Sequence, residues 1–501
     1  IGLSKGDIVS PEMLLSMATD PIVFAMANPT PEINYDLAIQ TRKDILMATG
    51  RSDHPNQVNN VLGFPFIFRG ALDVRATGIN EEMKMAAVHA LADLAKKTVP
   101  EQVNLAYEES NLSFGKDYII PKPFDPRLIY EIPPAIAKAA MDSGIAKQPI
   151  QNWDSYKDKL MERLGTSNKV VRLLHDRAKA NPKRLVFNEA DQLNVTKAAQ
   201  IVFDEGIAIP ILLGNKEMIL AHKKEIGFDQ DVTIINPKTD EERSRRFRYA
   251  DLYWKENQRK GVTLLEARKL MRERNYFAAM MVNQGDADAM ITGYSRNYAS
   301  SIKPLFETIG MQDGVSRIAA TNLMLTKRGP MFLADTTVNI DPTPQQLEKI
   351  TQLTSNVAKL FGIKPIVAML SFANFGASKS ERAQKMEVAV RRVHESCPDL
   401  LVDGPIQVDF ALNAEMLEDK FPFSNLAGKK PNVLIFPNLD AANITYKMIK
   451  ELNSVESVGP ILMGLKKPAH ILQLGASVDE MVNMAAVAVV DAQNKSRRKT
   501  T

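Results

Sequence analysis

The sequence predicts an α/β protein of more than one domain, built on parallel sheets, and three observations carry that prediction. Short apolar runs recur along the chain, each ends at a small or polar residue, and helical patterns fill the spaces between them. Continuous apolar runs mark strands buried on both faces, the situation of a parallel sheet covered by helices. Length is the third observation, because 501 residues exceed what one core organises.

The first run, Ile22-Val23-Phe24-Ala25-Met26, precedes Asn28, and the second, Ile45-Leu46-Met47-Ala48, precedes Thr49-Gly50. A proline-studded, turn-rich stretch is expected from Phe114 to Pro134, then a helix ending near Asp142-Ser143-Gly144. After Gln148-Pro149, a polar helical segment from Trp153 to Leu164 ends at Gly165-Thr166-Ser167-Asn168, and a fresh alternation starts. The expected division is therefore a domain at 1–150, a linker at 151–167 and a second domain at 168–501. Runs in that second domain include Ala289-Met290-Ile291 before Thr292-Gly293, Met331-Phe332-Leu333-Ala334 before Asp335, and Ile366-Val367-Ala368-Met369-Leu370 before Ser371. Leu400-Leu401-Val402 before Asp403 and Val433-Leu434-Ile435-Phe436 before Pro437-Asn438 complete the pattern. In open α/β sheets, ligands bind beyond the carboxyl ends of strands, so the polar residues at these ends are the candidates for function.

Composition narrows the classes. Hydrophobic residues at 45% and charged residues at 24% are ordinary for globular proteins and argue against disorder. A formal charge of +4 is small for this length, and the basic cluster Arg497-Arg498-Lys499 follows a helical pattern, where cations favour the helix end; nucleic-acid binding is not expected. Cys397 stands alone and fits a reducing compartment, no run approaches a membrane span, and the start lacks a signal-peptide pattern, so a cytoplasmic location is expected. The chain opens without methionine, on what reads as the end of a buried strand, and a longer parent sequence is expected.

Two asparagine motifs stand in the first 60 residues, Ala27-Asn28-Pro29-Thr30-Pro31-Glu32 and Ser52-Asp53-His54-Pro55-Asn56-Gln57-Val58-Asn59-Asn60. An amide offers donors and an acceptor, which suits a ribose, a carboxamide or a small anionic substrate, but Asn after a strand also makes ordinary turns. With Arg69-Gly70-Ala71-Leu72-Asp73 and Ile120-Pro121-Lys122-Pro123-Phe124-Asp125-Pro126-Arg127, residues 1 to about 145 resemble the malic enzymes. That resemblance implies a Rossmann-like fragment in which Asn28 contacts the nicotinamide nucleotide and Asn60, with Asn59 beside it, contacts malate or pyruvate. It implies NADP, with NAD as the alternative, and a divalent Mg or Mn ion. The family's Tyr and Lys acid/base pair, its acidic metal ligands and its glycine-rich loop have no counterpart in residues 1–150, so no catalytic residue and no metal ligand is expected in this chain.

A second motif set runs through Gly285-Asp286-Ala287-Asp288-Ala289, Leu370-Ser371-Phe372, Asp403-Gly404-Pro405-Ile406-Gln407-Val408-Asp409 and Asn432-Val433-Leu434-Ile435-Phe436-Pro437-Asn438-Leu439. Residues from about 168 to 494 resemble the phosphotransacetylases, which implies a two-lobed α/β domain, with lobe I at 168–310 plus 466–501 and lobe II at 311–465. By that resemblance Gln473 and Leu474 stand where the family carries its Ser-Arg pair, Glu480 stands at its acidic position, and Lys303 replaces an arginine. Leucine supplies no cation where transferred charge gathers, so acetyl transfer is expected to be lost. The loop Thr292-Gly293-Tyr294-Ser295-Arg296-Asn297-Tyr298 combines aromatic faces with a guanidinium, a composition suited to CoA and equally to a solvated loop. Both halves together resemble the bacterial hybrid malic enzymes. The implied reaction converts malate to pyruvate and carbon dioxide, with acetyl-CoA or CoA as an effector and a homo-oligomeric assembly. An active phosphate acetyltransferase and a non-enzymatic metabolite-binding module are the alternatives.

Overall fold

The computed structural model describes residues 1–107, 109, 112–163, 169–453 and 455–497. They form two compact units, Ile1–Thr166 and Ser167–Thr501. The expected helix end at 165–168, and Arg498 and Lys499 of the basic cluster, lie outside the described residues.

In the first unit, β1 (Ile22–Ala25) and β2 (Leu46–Thr49) pair in parallel, with Ala25 opposite Thr49. The Gly2 N–H donates to the Phe24 carbonyl and the Met26 N–H to the Gly2 carbonyl, which extends the edge of β1. Most of this unit is helical. Helices Phe64–Asp73, Glu81–Lys96 and Leu128–Asp142 share a core around Met83, Leu94, Ile132 and Ile136. Gly70 permits the close crossing of the first and third, since a Cβ there would lie 2.6 Å from the Pro133 carbonyl oxygen.

One expectation changes here. Pro133 and Pro134 lie inside helix Leu128–Asp142 and do not end a turn-rich stretch; both are buried, and the packing of that face outweighs the backbone bonds they forgo. Within 151–167, the helical segment expected from Trp153 is present as helix Trp153–Glu162, which packs on the first unit. Its Tyr156 and Leu160 join the same core, and the Tyr156 hydroxyl donates to Asp73 Oδ2 at 2.7 Å.

The strands of the second unit are β3 (Lys183–Asn188), β4 (Ala208–Leu213), β5 (Thr233–Ile235), β6 (Ala289–Thr292), β7 (Ala319–Thr326), β8 (Gly329–Ala334), β9 (Ile366–Leu370), β10 (Leu401–Ile406), β11 (Val433–Ile435), β12 (Ser457–Met463) and β13 (Ala469–Ile471). One sheet, ordered β13-β6-β3-β4-β5, is parallel throughout. The other, ordered β10-β9-β11-β8-β7-β12, is mixed, because β7 runs antiparallel to both β8 and β12. Only Lys327 and Arg328 separate β7 from β8, too short a link for the crossover that parallel pairing needs, so the sheet departs from the all-parallel expectation. The chain enters the second sheet at β7 and returns to the first at β13, then ends in helix Val478–Arg497. The buried Met481, Ala485 and Val489 of that helix share one core with Leu185 of the first sheet and Leu323 of the second.

Candidate functional site

The carboxyl ends of β1 and β2 present the two asparagine motifs of the first unit. Asn28 is exposed, and its side chain makes no hydrogen bond among the described residues. The loop that carries it is anchored by Glu32, which is 2% exposed and accepts from the N–H groups of Ala27 and Ser4, each at 3.1 Å. Burial opposes the charge on Glu32, but these and neighbouring backbone donors outweigh it and hold the carboxyl below its usual range.

Three asparagines of the second motif divide the work. Asn56 is buried at positive φ; it donates to the carbonyls of Met47 at 3.0 Å and Lys116 at 2.7 Å, and it accepts from the Ile119 N–H at 2.8 Å. Asn59 accepts from the Val61 N–H at 3.0 Å and caps the short turn Asn60–Leu62, so its amide oxygen is already committed. Asn60 is exposed with no side-chain hydrogen bond among the described residues. Neither Glu32 nor Asn56 stands out within its motif, although Asn in a turn commonly bonds to nearby backbone groups. His54 of the same motif stacks on Tyr35 with ring centroids 4.4 Å apart.

In the second unit, the loops after β6 and β13 are adjacent, since Leu472 donates to the Thr292 carbonyl and Gly475 to that of Tyr294. They bring the segment Tyr294 to Tyr298 beside Gln473 and Leu474. The first loop is tied down by Glu189, a fully buried carboxylate just past β3 that was not singled out in the sequence. It accepts from the N–H groups of Gly293 at 3.0 Å and Tyr294 at 2.8 Å and from Ser295 Oγ at 2.8 Å. Gly293 has φ +94°, and a Cβ there would meet Ile471 Cγ2 at 2.7 Å, so no other residue fits the turn.

The candidate effector residues do not form one surface. The Tyr294 hydroxyl accepts from Asn194 at 3.1 Å, and its ring packs on the main core. Tyr298 turns its hydroxyl inward without a partner; burial, then the nearby Asp335, raise its pKa. Lys303 is exposed on helix Tyr298–Thr308, 3.8 Å from Glu307. Arg296 points elsewhere, toward Glu273 at 3.4 Å, on the wall of a pocket of about 140 Å³.

Of the three positions compared above with the phosphotransacetylases, Gln473 and Glu480 have structural partners. Gln473 donates to the Tyr446 hydroxyl at 2.6 Å. Leu474 is 72% exposed and offers no polar group. Glu480 accepts from Lys450 Nζ at 2.7 Å and from the Ser477 N–H at 3.0 Å, while its own N–H donates to Ser477 Oγ at 3.1 Å. Those reciprocal bonds are a capping box at the start of the last helix, and the spacing Ser477-Val478-Asp479-Glu480 announced it.

Among the described residues, no group of three or more His, Cys, Asp or Glu is placed to hold a metal ion, and no helix is long and apolar enough to cross a membrane. A pocket of about 320 Å³ in the first unit, lined by Asp73, Tyr156 and Arg163 among others, includes neither Asn28 nor Asn60.

Comparison with known proteins follows the same division. Residues 169–489 match the family model described as Phosphate acetyl/butaryl transferase, and residues 4–111 match the one for the malic enzyme NAD binding domain. An NADP-dependent malic enzyme of Salmonella typhimurium is 45% identical over 500 residues, covering 98% of this chain and 65% of that relative. A phosphate acetyltransferase of Nitratidesulfovibrio vulgaris is 35% identical over 325 residues, 64% of this chain and 45% of that relative. The crystal structure of a phosphotransacetylase from Streptococcus pyogenes aligns with a TM-score of 0.61 at 32% identity, over 65% of this chain and 99% of that one. The chain spans about 65% of the length of the curated malic enzymes it matches.

Proposed function

The chain belongs to the phosphate acetyl/butaryl transferase family over residues 169–489 and carries a malic enzyme NAD-binding segment ahead of that region. On that premise we propose that it is part of an NADP-dependent malic enzyme whose second unit senses acetyl-CoA instead of transferring acetyl groups. In this reading the protein converts malate to pyruvate and carbon dioxide. Asn28 offers its amide to the nicotinamide nucleotide and Asn60 to the substrate carboxylate, with Asn59 shaping the turn that presents Asn60. The observation that carries it is the contrast within one motif: Asn56 and Asn59 are engaged by nearby backbone, whereas the Asn60 amide is left open at the start of the turn Asn60–Leu62. No described group fits the divalent Mg or Mn ion of this chemistry, and none of the roles assigned here passes through it.

In the longer malic enzyme of which this chain is proposed to be part, replacing Asn60 by Ala is expected to lower kcat/KM for malate by about 1–3 kcal/mol of transition-state binding, read as malate-dependent NADPH formation. An unchanged kcat/KM would reduce Asn60 to a turn residue.

The regulatory part rests on Leu474, which supplies no cation, and on Gln473 and Glu480, whose polar atoms hold Tyr446, Lys450 and the last helix. A pocket that binds acetyl-CoA without consuming it is free to bias the enzyme through differential affinity. Acetyl-CoA is expected to inhibit malate oxidation by the longer malic enzyme, and Arg296→Glu, which places a negative charge near the CoA phosphates, to weaken the effect. Malate kinetics indifferent to saturating acetyl-CoA reject the sensor. Turnover of acetyl phosphate and CoA would favour the competing reading of an active phosphate acetyltransferase, which the phosphate acetyltransferase relative supports. Sedimentation of the full chain at micromolar concentration tests the homo-oligomer that belongs to the same proposal.

A further inference from the structure

The second asparagine motif contains one ring to which the proposed function assigns no part. His54 follows Gly50, Arg51, Ser52 and Asp53, all exposed, yet its own side chain is only 16% exposed. The imidazole stacks on Tyr35 with centroids 4.4 Å apart and planes 12° from parallel. Asp53 lies 3.9 Å from it, but that carboxylate is already taken by Arg51 through two bonds, at 2.9 and 2.6 Å. The stack, and not an ion pair, is what holds the ring.

Both partners are fixed at their bases. Pro55 restricts the His54 backbone to extended conformations. Asn56 follows at φ +53°, tied to the backbone of Met47, Lys116 and Ile119. Tyr35 opens helix Tyr35–Thr41, whose N-cap Asn34 accepts from the Leu37 N–H at 3.2 Å, and it packs on the core of Ile33, Ala38 and Ile45. The contact therefore joins two loops. Tyr35 closes the one that carries Asn28 after β1, and His54 lies in the one that leads from β2 to Asn60. Because β1 and β2 are parallel neighbours, both loops leave the same end of the sheet.

From this bridge we infer that His54 is a positioning residue, which through Tyr35 sets the spacing between the Asn28 loop and the Asn60 loop and so couples nucleotide binding to malate binding. The inference rests on the reading in which Asn28 meets the nucleotide and Asn60 the substrate. Oxidation of malate by NADP needs the two bound molecules in contact, and a displacement of about 1 Å between reacting partners costs on the order of a hundredfold in rate. A ligand that fixes one loop leaves less ordering for the ligand of the other, provided the loops move together. Each ligand then tightens the other, and by the same factor.

The test titrates NADPH by calorimetry into the longer malic enzyme with and without saturating malate, a pairing that binds but has no reaction to undergo. Malate is expected to tighten NADPH binding in the parent, and His54→Ala to reduce that tightening by about tenfold while NADPH alone binds within about twofold of normal. His54→Phe keeps a flat ring for Tyr35 to stack on and is expected to restore the coupling. The proposal is overturned by a parent in which malate does not tighten NADPH, by full coupling in His54→Ala, or by a loss that His54→Phe does not repair. Equal weakening of NADPH with and without malate in His54→Ala also overturns it, because that reports damage to one loop and not a lost connection. Asn28→Ala and Asn60→Ala, titrated in the same way, separate the two failures. Normal binding in both rejects the assignments of Asn28 and Asn60 and the coupling with them, whereas impaired binding there beside full coupling in His54→Ala rejects the role of His54 alone.

Discussion

The segments that follow the strands use polar side chains differently in the two units. In the first unit, Asn28 and Asn60 leave their amides open, while Glu32 and Asn56 hold the surrounding loops by accepting and donating to backbone. In the second unit, the polar side chains of the last loop and helix start are spent internally, Gln473 on Tyr446 and Glu480 on Lys450 and Ser477. The lesson is that a polar residue at a strand end is informative through what it leaves unbonded. A satisfied amide is part of the scaffold, and an open one beside a satisfied neighbour is available to a ligand.

The largest expected effect tests the scaffold side of that contrast. Asn56→Ala removes three hydrogen bonds at a site 2% exposed and leaves backbone groups without partners, so it is expected to destabilise the first unit by about 3 kcal/mol in urea unfolding. A loss below ~1 kcal/mol would break the distinction between Asn56 and Asn60.

Next comes a titration in the second unit. His470 is 1% exposed; its Nδ1 accepts from the Leu462 N–H at 3.3 Å, and Nε2 lies 3.8 Å from Asp491. Burial lowers its pKa to about 4; Asp491 pulls it upward, and Lys495 pushes it down. Below pH 6.5 the unfolded chain takes up a proton that the folded one refuses until about pH 4, so stability is lost as pH falls through that window. The loss attributable to His470 is about 3 kcal/mol, read as the difference in acid dependence between the native chain and His470→Gln. Parallel acid profiles would exclude it.

Smaller is the capping box. Glu480→Ala removes the bond to the Ser477 N–H and the partly exposed pair with Lys450, and a loss of about 1 kcal/mol is expected from chemical denaturation. If the variant were as stable as the parent, Glu480 would no longer count among the internally spent residues. At the bottom of the range, Asn60→Ala is expected to change stability by less than about 0.5 kcal/mol while malate kcat/KM falls. Destabilisation comparable to that of Asn56→Ala would erase the contrast altogether.

Much of the architecture was legible because apolar runs register burial directly. Ile22 to Met26, Ile45 to Ala48, Ala289 to Ile291 and Val433 to Phe436 all fall on strands; the last three have little room for polar residues because they are buried, whereas Ile22 at the start of β1 is exposed. The antiparallel β7–β8 pair escaped because its strands read like the others and only the two-residue connection betrays direction. Pro133 and Pro134 misled for a related reason: local propensity argues for a turn, and burial of that helical face overrules it. The candidate residues show the same limit. The motif around Asn56, Asn59 and Asn60 was visible, but its division of labour was not, because a sequence lists donors and acceptors without saying which already face each other.

By itself, then, the sequence determined the α/β class, the two different halves and the strands after which the candidate residues follow, because hydrophobic period and motif order are properties of the chain. Only the tertiary structure decided that Glu189 clamps the loop after β6, that Tyr294 and Tyr298 pack inward, and that Arg296 turns to Glu273. These groups lie up to about a hundred residues apart, Glu189 and Ser295 by 106. Which of them satisfy one another depends on how β3, β4, β5 and β6 align their carboxyl ends, and no local pattern records that alignment.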